Sequence, residues 1–184
     1  ITGYQVHRGS LATFDRPPAR LAGDLLLGAN RLLLVEDVVD HENIGAIFRN
    51  AAGLGVDAVI LTSGCADPLY RRSIKVSMGS TLVLPYAQVA MLPDFLPAVR
   101  SAGFKTLALT PGGEQALGAE PAPARWALLI GTEGAGLSDA ALAAADERVR
   151  IPMSSGTDSL NVATATAIAL WQLARPTPTE PDFG

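Results

Sequence analysis

With 184 residues, 48% of them hydrophobic, the chain can bury one sizeable core, and a single domain is the default. Charged residues make up 17% and aromatics 5%, so small aliphatic residues and glycine must carry the packing, as they do where strands and helices alternate. A formal net charge of -4 excludes a broad electrostatic grip on phosphates, and a lone cysteine, Cys65, excludes a disulfide framework; with no Cys/His cluster at zinc spacing, the chain reads as cytoplasmic and metal-free.

Residues 1–30 carry Pro17, Pro18 and weak periodicity, and read as a lead-in from upstream sequence with one helix near Leu21 to Leu27. The first residue is Ile1 rather than Met, which suggests a piece of a longer protein. From there, apolar runs bounded by turn residues predict strands at Arg31 to Glu36, Ala58 to Thr62, Thr81 to Leu84, Lys105 to Thr110, Trp126 to Ile130 and Arg148 to Ile151. Helical patterns fall between and after them at Asn43 to Leu54, Met91 to Ala102, Ser138 to Ala145 and Asn161 to Ala174. This alternation predicts an α/β fold, a parallel sheet covered by helices on both faces. The apolar stretch Val162 to Ala174 is too short for a membrane span and is interrupted by Thr164, Thr166 and Gln172. After Arg175, Pro176, Pro178 and Pro181 cannot continue a helix and predict a fraying tail.

Three segments concentrate residues suited to chemistry. In the first, Val35 to Asn50, the residues Ile44, Ile47, Phe48, Ala51 and Leu54 repeat at helical spacing, which leaves Arg49 off the apolar stripe and able to face a site at the strand ends. Taken alone, the plainer reading is a solvated Arg49 and an Asn43 that starts the helix. In the second, the apolar run Leu128 to Ile130 enters a turn with Gly131, Gly134 and Gly136 before a helix capped by Ser138 or Asp139. It is neither a Walker loop nor a dinucleotide fingerprint; a nucleoside pocket and an ordinary strand-to-helix turn both remain open. In the third, Ile151 to Ala163, Ser159 and Asn161 stand at a helix N-terminus, where simple capping accounts for one of them but not for the long Ser/Gly/Thr loop that precedes it.

Together these segments resemble the SpoU (TrmH-like) family of the SPOUT methyltransferase superfamily over Arg31 to Ala174. The first motif is Asn43, Gly45 and Arg49; the second is Gly131, Glu133, Gly136 and Leu137; the third is Ile151 to Met153 with Ser159 to Val162. The chain departs from many members by placing Ser155 second after Met153, with Gly156 following.

The resemblance implies an S-adenosylmethionine-dependent RNA methyltransferase that modifies a ribose 2'-hydroxyl in rRNA or tRNA. It also implies a C-terminal trefoil knot, an exception to the rule that chains stay un-knotted, and a homodimer formed through the knot region. The methyltransferase domain would occupy residues 31–175, after a lead-in at 1–30 from an RNA-binding domain and before a tail at 176–184. By the same analogy, S-adenosylmethionine would meet Leu109, Thr110 and Pro111, then Gly131, then Ile151, Met153 and Leu160. Arg49 would activate the hydroxyl, Asn43 would orient Arg49 or the ribose, Glu133 would hold the Arg49 guanidinium or the glycine turn, and Ser159 with Asn161 would position the hydroxyl.

Arg71, Arg72 and Lys75 resemble a family segment near the RNA entrance and form the densest positive patch in the chain; phosphate contact and a solvated basic turn are both open readings. A guanidinium is effectively always protonated, so Arg49 suits a charged clamp on phosphate and alkoxide better than a base. The rival from another class is a non-catalytic RNA-binding or assembly module of the same fold. A nicotinamide oxidoreductase lacks its fingerprint here.

Overall fold

The computed structural model describes residues 15–154 and 159–174. The expected fraying tail, most of the loop ahead of Ser159 and the first half of the lead-in lie outside the described residues.

Seven parallel strands form one sheet. In chain order the strands are β1 (Arg31–Val35), β2 (Ala58–Thr62), β3 (Tyr86–Val89), β4 (Lys105–Leu109), β5 (Gln115–Ala116), β6 (Trp126–Ile130) and β7 (Glu147–Arg150). Their spatial order is β3-β2-β1-β6-β4-β7-β5, with every neighbouring pair parallel. The helices are α1 (His41–Gly53), α2 (Arg71–Val76), α3 (Ser80–Val83), α4 (Leu92–Ser101), α5 (Asp139–Ala144) and α6 (Val162–Ala174).

The central strands are buried on both faces, as their unbroken apolar runs require. Alternation divides each strand between two cores. Leu33 and Val35 of β1, with Leu128 and Ile130 of β6, pack under Ile44, Ile47 and Phe48 of α1 and Ala169, Leu170 and Leu173 of α6. Leu32, Leu34, Ala127 and Leu129 point the other way, under Leu92, Leu96 and Val99 of α4 and Ala141 of α5. The predicted α/β architecture with helices on both faces is therefore present.

Element limits follow local chemistry. Helix α1 begins two residues before Asn43 because the Asp40 carboxylate accepts hydrogen bonds from the Glu42 and Asn43 amides at 2.6 and 3.1 Å. The strand expected at Thr81 to Leu84 is instead the one-turn helix α3, and the third strand starts at Tyr86. A four-residue apolar run does not distinguish strand from helix. Here Gly79, at a φ of 85°, turns the chain into a helical turn closed by Leu84 N–H to the Ser80 carbonyl at 2.9 Å. Pro85 then stops it, holding Leu84 extended, and pairing with β2 follows. The helix expected near Leu21 to Leu27 shortens to a 3-10 turn at Asp24–Leu26. The basic segment forms the helix α2, and β5 is an additional strand; neither was anticipated, each being too short to show a period. Among the described residues no helix is long and apolar enough to cross a membrane.

One glycine sets the distance between two helices that frame the site. A Cβ on Gly45 would lie 2.7 Å from the Ser73 carbonyl oxygen and 2.8 Å from Val76 Cβ, so α1 and α2 meet through bare backbone. Replacing an exposed helix glycine normally stabilises. Gly45→Val is expected to do the opposite, lowering stability by about 1–3 kcal/mol through overpacking; a urea-unfolding midpoint equal to or above that of the unaltered chain would contradict this packing.

Candidate active site at the strand ends

Strands β1, β4, β6 and β7 end side by side, and the loops beyond three of them enclose a cavity of about 530 Å³. Open parallel sheets bind ligands at this edge, in the crevice beyond the carboxyl ends of the strands. Leu109, Thr110 and Pro111 line the cavity from the β4 side, and Gly131 and Glu133 from the β6 turn. Ile151 and Met153 line it after β7, and Ser159, Leu160 and Asn161 ahead of α6. Every residue expected to meet S-adenosylmethionine thus borders one space. Cys65 is buried away from it, and burial pushes its thiol pKa up, away from nucleophilic use.

The second motif is rigid for a steric reason. A Cβ on Gly131 would overlap the backbone of Gly136 and Leu137, so the turn can fold back on itself only with glycine there. Thr132 and Gly136 form an antiparallel bridge, and Gly134 and Gly136 adopt φ of 83° and 72°. A residue that the sequence reading missed anchors this turn: Glu36, only 6% exposed. Its carboxylate accepts from Ser138 N–H at 2.7 Å and from Ser138 Oγ at 2.9 Å. Ser138 Oγ in turn accepts from Ala141 N–H at 3.2 Å, capping α5. The one available signal was an acid directly after an apolar strand.

The three motifs meet at Asn161. Its Nδ2 donates to Asn43 Oδ1 at 2.9 Å and to Glu133 Oε1 at 2.6 Å. Its Oδ1 accepts from the Ala163 and Thr164 amides at 3.0 and 3.2 Å, capping α6. Asn50 Nδ2 adds a bond to the Ala163 carbonyl at 3.0 Å, holding α1 against the start of α6. Capping and site geometry, which competed as readings of the third motif, are performed by the same side chain.

Arg49 stands apart from this network. It is exposed on α1 and lines a neighbouring cavity of about 980 Å³ together with Arg71, Arg72 and Lys75. Of the two partners expected for Glu133, the Arg49 guanidinium or the glycine turn, the first is not met within the chain: Arg49 lines the neighbouring cavity, and Glu133 Oε1 accepts from Asn161. Arg72 is also committed: its Nε donates to Glu42 Oε1 at 2.8 Å. Helix α1 therefore joins two spaces, presenting Asn43 to the strand-end network and Arg49 to the cationic cavity.

The double use of Asn161 can be separated by substitution. Asn161→Asp keeps a capping oxygen but sets a carboxylate against Glu133, whereas Asn161→Ala loses cap and bridge together. The alanine variant is expected to lose about 1–2 kcal/mol. The aspartate variant should regain stability as pH falls and one carboxylate is protonated. Calorimetric melting points that are independent of pH in the aspartate variant would contradict the Asn161 to Glu133 contact.

Residues 30–171 match the model of the SpoU rRNA Methylase family. An uncharacterized tRNA/rRNA methyltransferase of Mycobacterium tuberculosis is 50% identical over 179 residues, covering 95% of this chain and 62% of the relative. The 23S rRNA (guanosine(2553)-2'-O)-methyltransferase RlmP of Bacillus subtilis is 31% identical over 148 residues, covering 80% of this chain and 59% of the relative. The crystal structure of the SpoU methyltransferase AviRb from Streptomyces viridochromogenes, in complex with AdoMet, superposes with a TM-score of 0.77 at 29% identity, covering 85% of this chain and 64% of that one. This chain thus spans about three fifths of the length of such relatives. With its three motifs gathered at the ends of one parallel sheet, the chain belongs to the SpoU rRNA methylase family.

Proposed function

We propose that this chain is the catalytic domain of an S-adenosylmethionine-dependent RNA methyltransferase that modifies a ribose 2'-hydroxyl in ribosomal or transfer RNA, in the cytoplasm. The observation that carries this reading is the Asn43, Asn161 and Glu133 bridge, which draws the three motifs around one cavity beside a second, cationic one. The names of the Bacillus and Streptomyces proteins support it.

The strand-end cavity suits S-adenosylmethionine on its own chemistry. Its volume falls in the usual range for small-molecule sites, and its walls combine aliphatic side chains with exposed backbone at a glycine turn. The charged side chains lining it among the described residues, Glu133 and Asp139, are both acidic, which favours a cationic ligand. When bound, S-adenosylmethionine supplies an electrophilic methyl group on a sulfonium.

Leu109, Thr110, Pro111, Gly131, Ile151, Met153 and Leu160 hold that molecule, largely through backbone. Ser159 and Asn161 position the attacking hydroxyl, with Asn161 itself oriented by Asn43 and Glu133. Arg49 clamps the phosphate beside the target ribose with its planar guanidinium and stabilises negative charge as it develops on the 2' oxygen. The hydroxyl proton leaves to the phosphate or to water. Arg71, Arg72 and Lys75 extend the phosphate contact.

Because Arg49 and the cofactor loops line different cavities of one chain, this reading includes a homodimer that brings the two together. Helix α6 is uncharged throughout, yet Ile168 and Trp171 leave 39% and 54% of their surface exposed, as expected of a face that a second copy covers. The trefoil knot belongs to the same proposal. After β7, on the far side of β4, the chain returns to pack α6 against α1.

Arg49→Ala is expected to bind S-adenosylmethionine normally by calorimetry and to lose RNA methyl transfer by about a hundredfold or more. Arg49→Lys should fail as well, since a point charge lacks the planar fork; unchanged turnover in either variant would remove Arg49 from the reaction. Ile168→Glu is expected to sediment as a monomer without transfer activity, and a fully active monomer would contradict the shared site.

A further inference from the structure

The cationic cavity holds more than cations. Alongside Arg49, Arg71 and Lys75 it is lined by His41 and Tyr70, whose rings pack against each other with centroids 4.2 Å apart and a tilt of 46°. Tyr70 leaves 51% of its surface exposed, so the pair forms part of the cavity wall rather than of a core. Arg49 and Lys75 have no side-chain hydrogen bond or ion pair among the described residues, so their charge is available to a ligand. Among the described residues the one acid in the lining, Glu42, is neutralised by Arg72.

The ring pair is held in place before any ligand arrives. Asp67 ties the turn that presents Tyr70: its carboxylate accepts from Leu69 N–H at 2.9 Å, and its carbonyl accepts from Tyr70 N–H and Ser73 Oγ, both at 3.1 Å. Arg16 pairs with the same carboxylate and holds its pKa below the ordinary value, so it remains an ionised acceptor at neutral pH. His41 is the first residue of α1, fixed by the Asp40 cap. Rings fixed in advance lose little entropy when a flat ligand stacks on them.

We propose that His41 and Tyr70 form a stacking platform for an unpaired base of the RNA substrate, next to the nucleotide whose phosphate Arg49 clamps. This rests on the reading that RNA docks beside Arg49. Cations that take phosphate beside aromatic faces that take bases are the combination by which proteins hold single-stranded RNA. His41 lies eight residues, about 12 Å along the helix axis, before Arg49, so the stacked base belongs to a neighbouring nucleotide. A base inside an A-form duplex would first have to give up its pairing and stacking to reach Tyr70, whereas an unpaired base would not, so the platform favours a methylation site in a loop, bulge or other unpaired segment.

The test is binding of the whole chain to a fluorescent hexa-adenylate RNA, to the same RNA with abasic central riboses, and to a hexa-adenylate duplex with its complement. The unaltered chain is expected to bind the single strand about tenfold more tightly than the abasic or duplex form. Tyr70→Ala and His41→Ala should lower hexa-adenylate binding to the abasic level while leaving abasic binding unchanged, and Tyr70→Phe should behave as the unaltered chain does. Equal binding of the three RNAs by the unaltered chain, or base preference retained in Tyr70→Ala, overturns the platform. If base preference disappears with Tyr70 while radiolabelled S-adenosylmethionine never marks RNA, the platform holds and the methyltransferase reading fails; if label is transferred but base preference ignores Tyr70, the platform fails and the reaction stands.

Discussion

One amide holds the site together. Asn161 presents its oxygen to the first turn of α6 and its nitrogen to Asn43 and Glu133, so a helix cap, the start of α1 and the glycine turn are fixed by a single side chain. An amide can do this because it carries acceptor and donor on one planar group. A carboxylate would satisfy the cap and repel Glu133; an alkyl chain would leave all three partners to water. The sheet brings the loops to the same edge, but this contact decides how they face one another.

The surrounding structure protects that arrangement. Glu36 ties the far end of the glycine turn to β1 through Ser138, and Asn50 ties α1 to the entry of α6. The turn is therefore held at both ends, by Glu36 at one and Asn161 at the other. Gly131 allows it to close on its own backbone, and Gly45 allows α2 to approach α1 closely enough to put the basic residues around Arg49. Rigid walls suit the proposed reaction, whose rate depends on aligning an oxygen, a methyl carbon and a sulfur.

Much of this was legible in the sequence, for physical reasons that also explain the exceptions. Long apolar runs and the stripe of Ile44, Ile47, Phe48 and Ala51 announce strands and a half-buried helix, since burial imposes a period on them. Thr81 to Leu84 misled because Gly79 and Pro85, not the run between them, determine what it becomes. The three motifs identified the residues around the strand-end cavity, yet no spacing rule could show that Glu133 would meet Asn161 instead of Arg49, for the two are 28 positions apart and meet only through the sheet. His41 and Tyr70 were invisible for the same reason: neither belongs to a motif, and their contact exists only because Asp40 starts α1 early and Asp67 turns the chain into α2.

The central claim is that the gathered motifs direct a methyl group to a sugar oxygen rather than to a base. Alkaline hydrolysis of RNA incubated with the protein and radiolabelled S-adenosylmethionine decides this, because a methylated 2' oxygen can no longer attack its neighbouring phosphate. Label recovered in alkali-resistant dinucleotides is the predicted result. Label recovered in mononucleotides would place the methyl on a base and contradict the account.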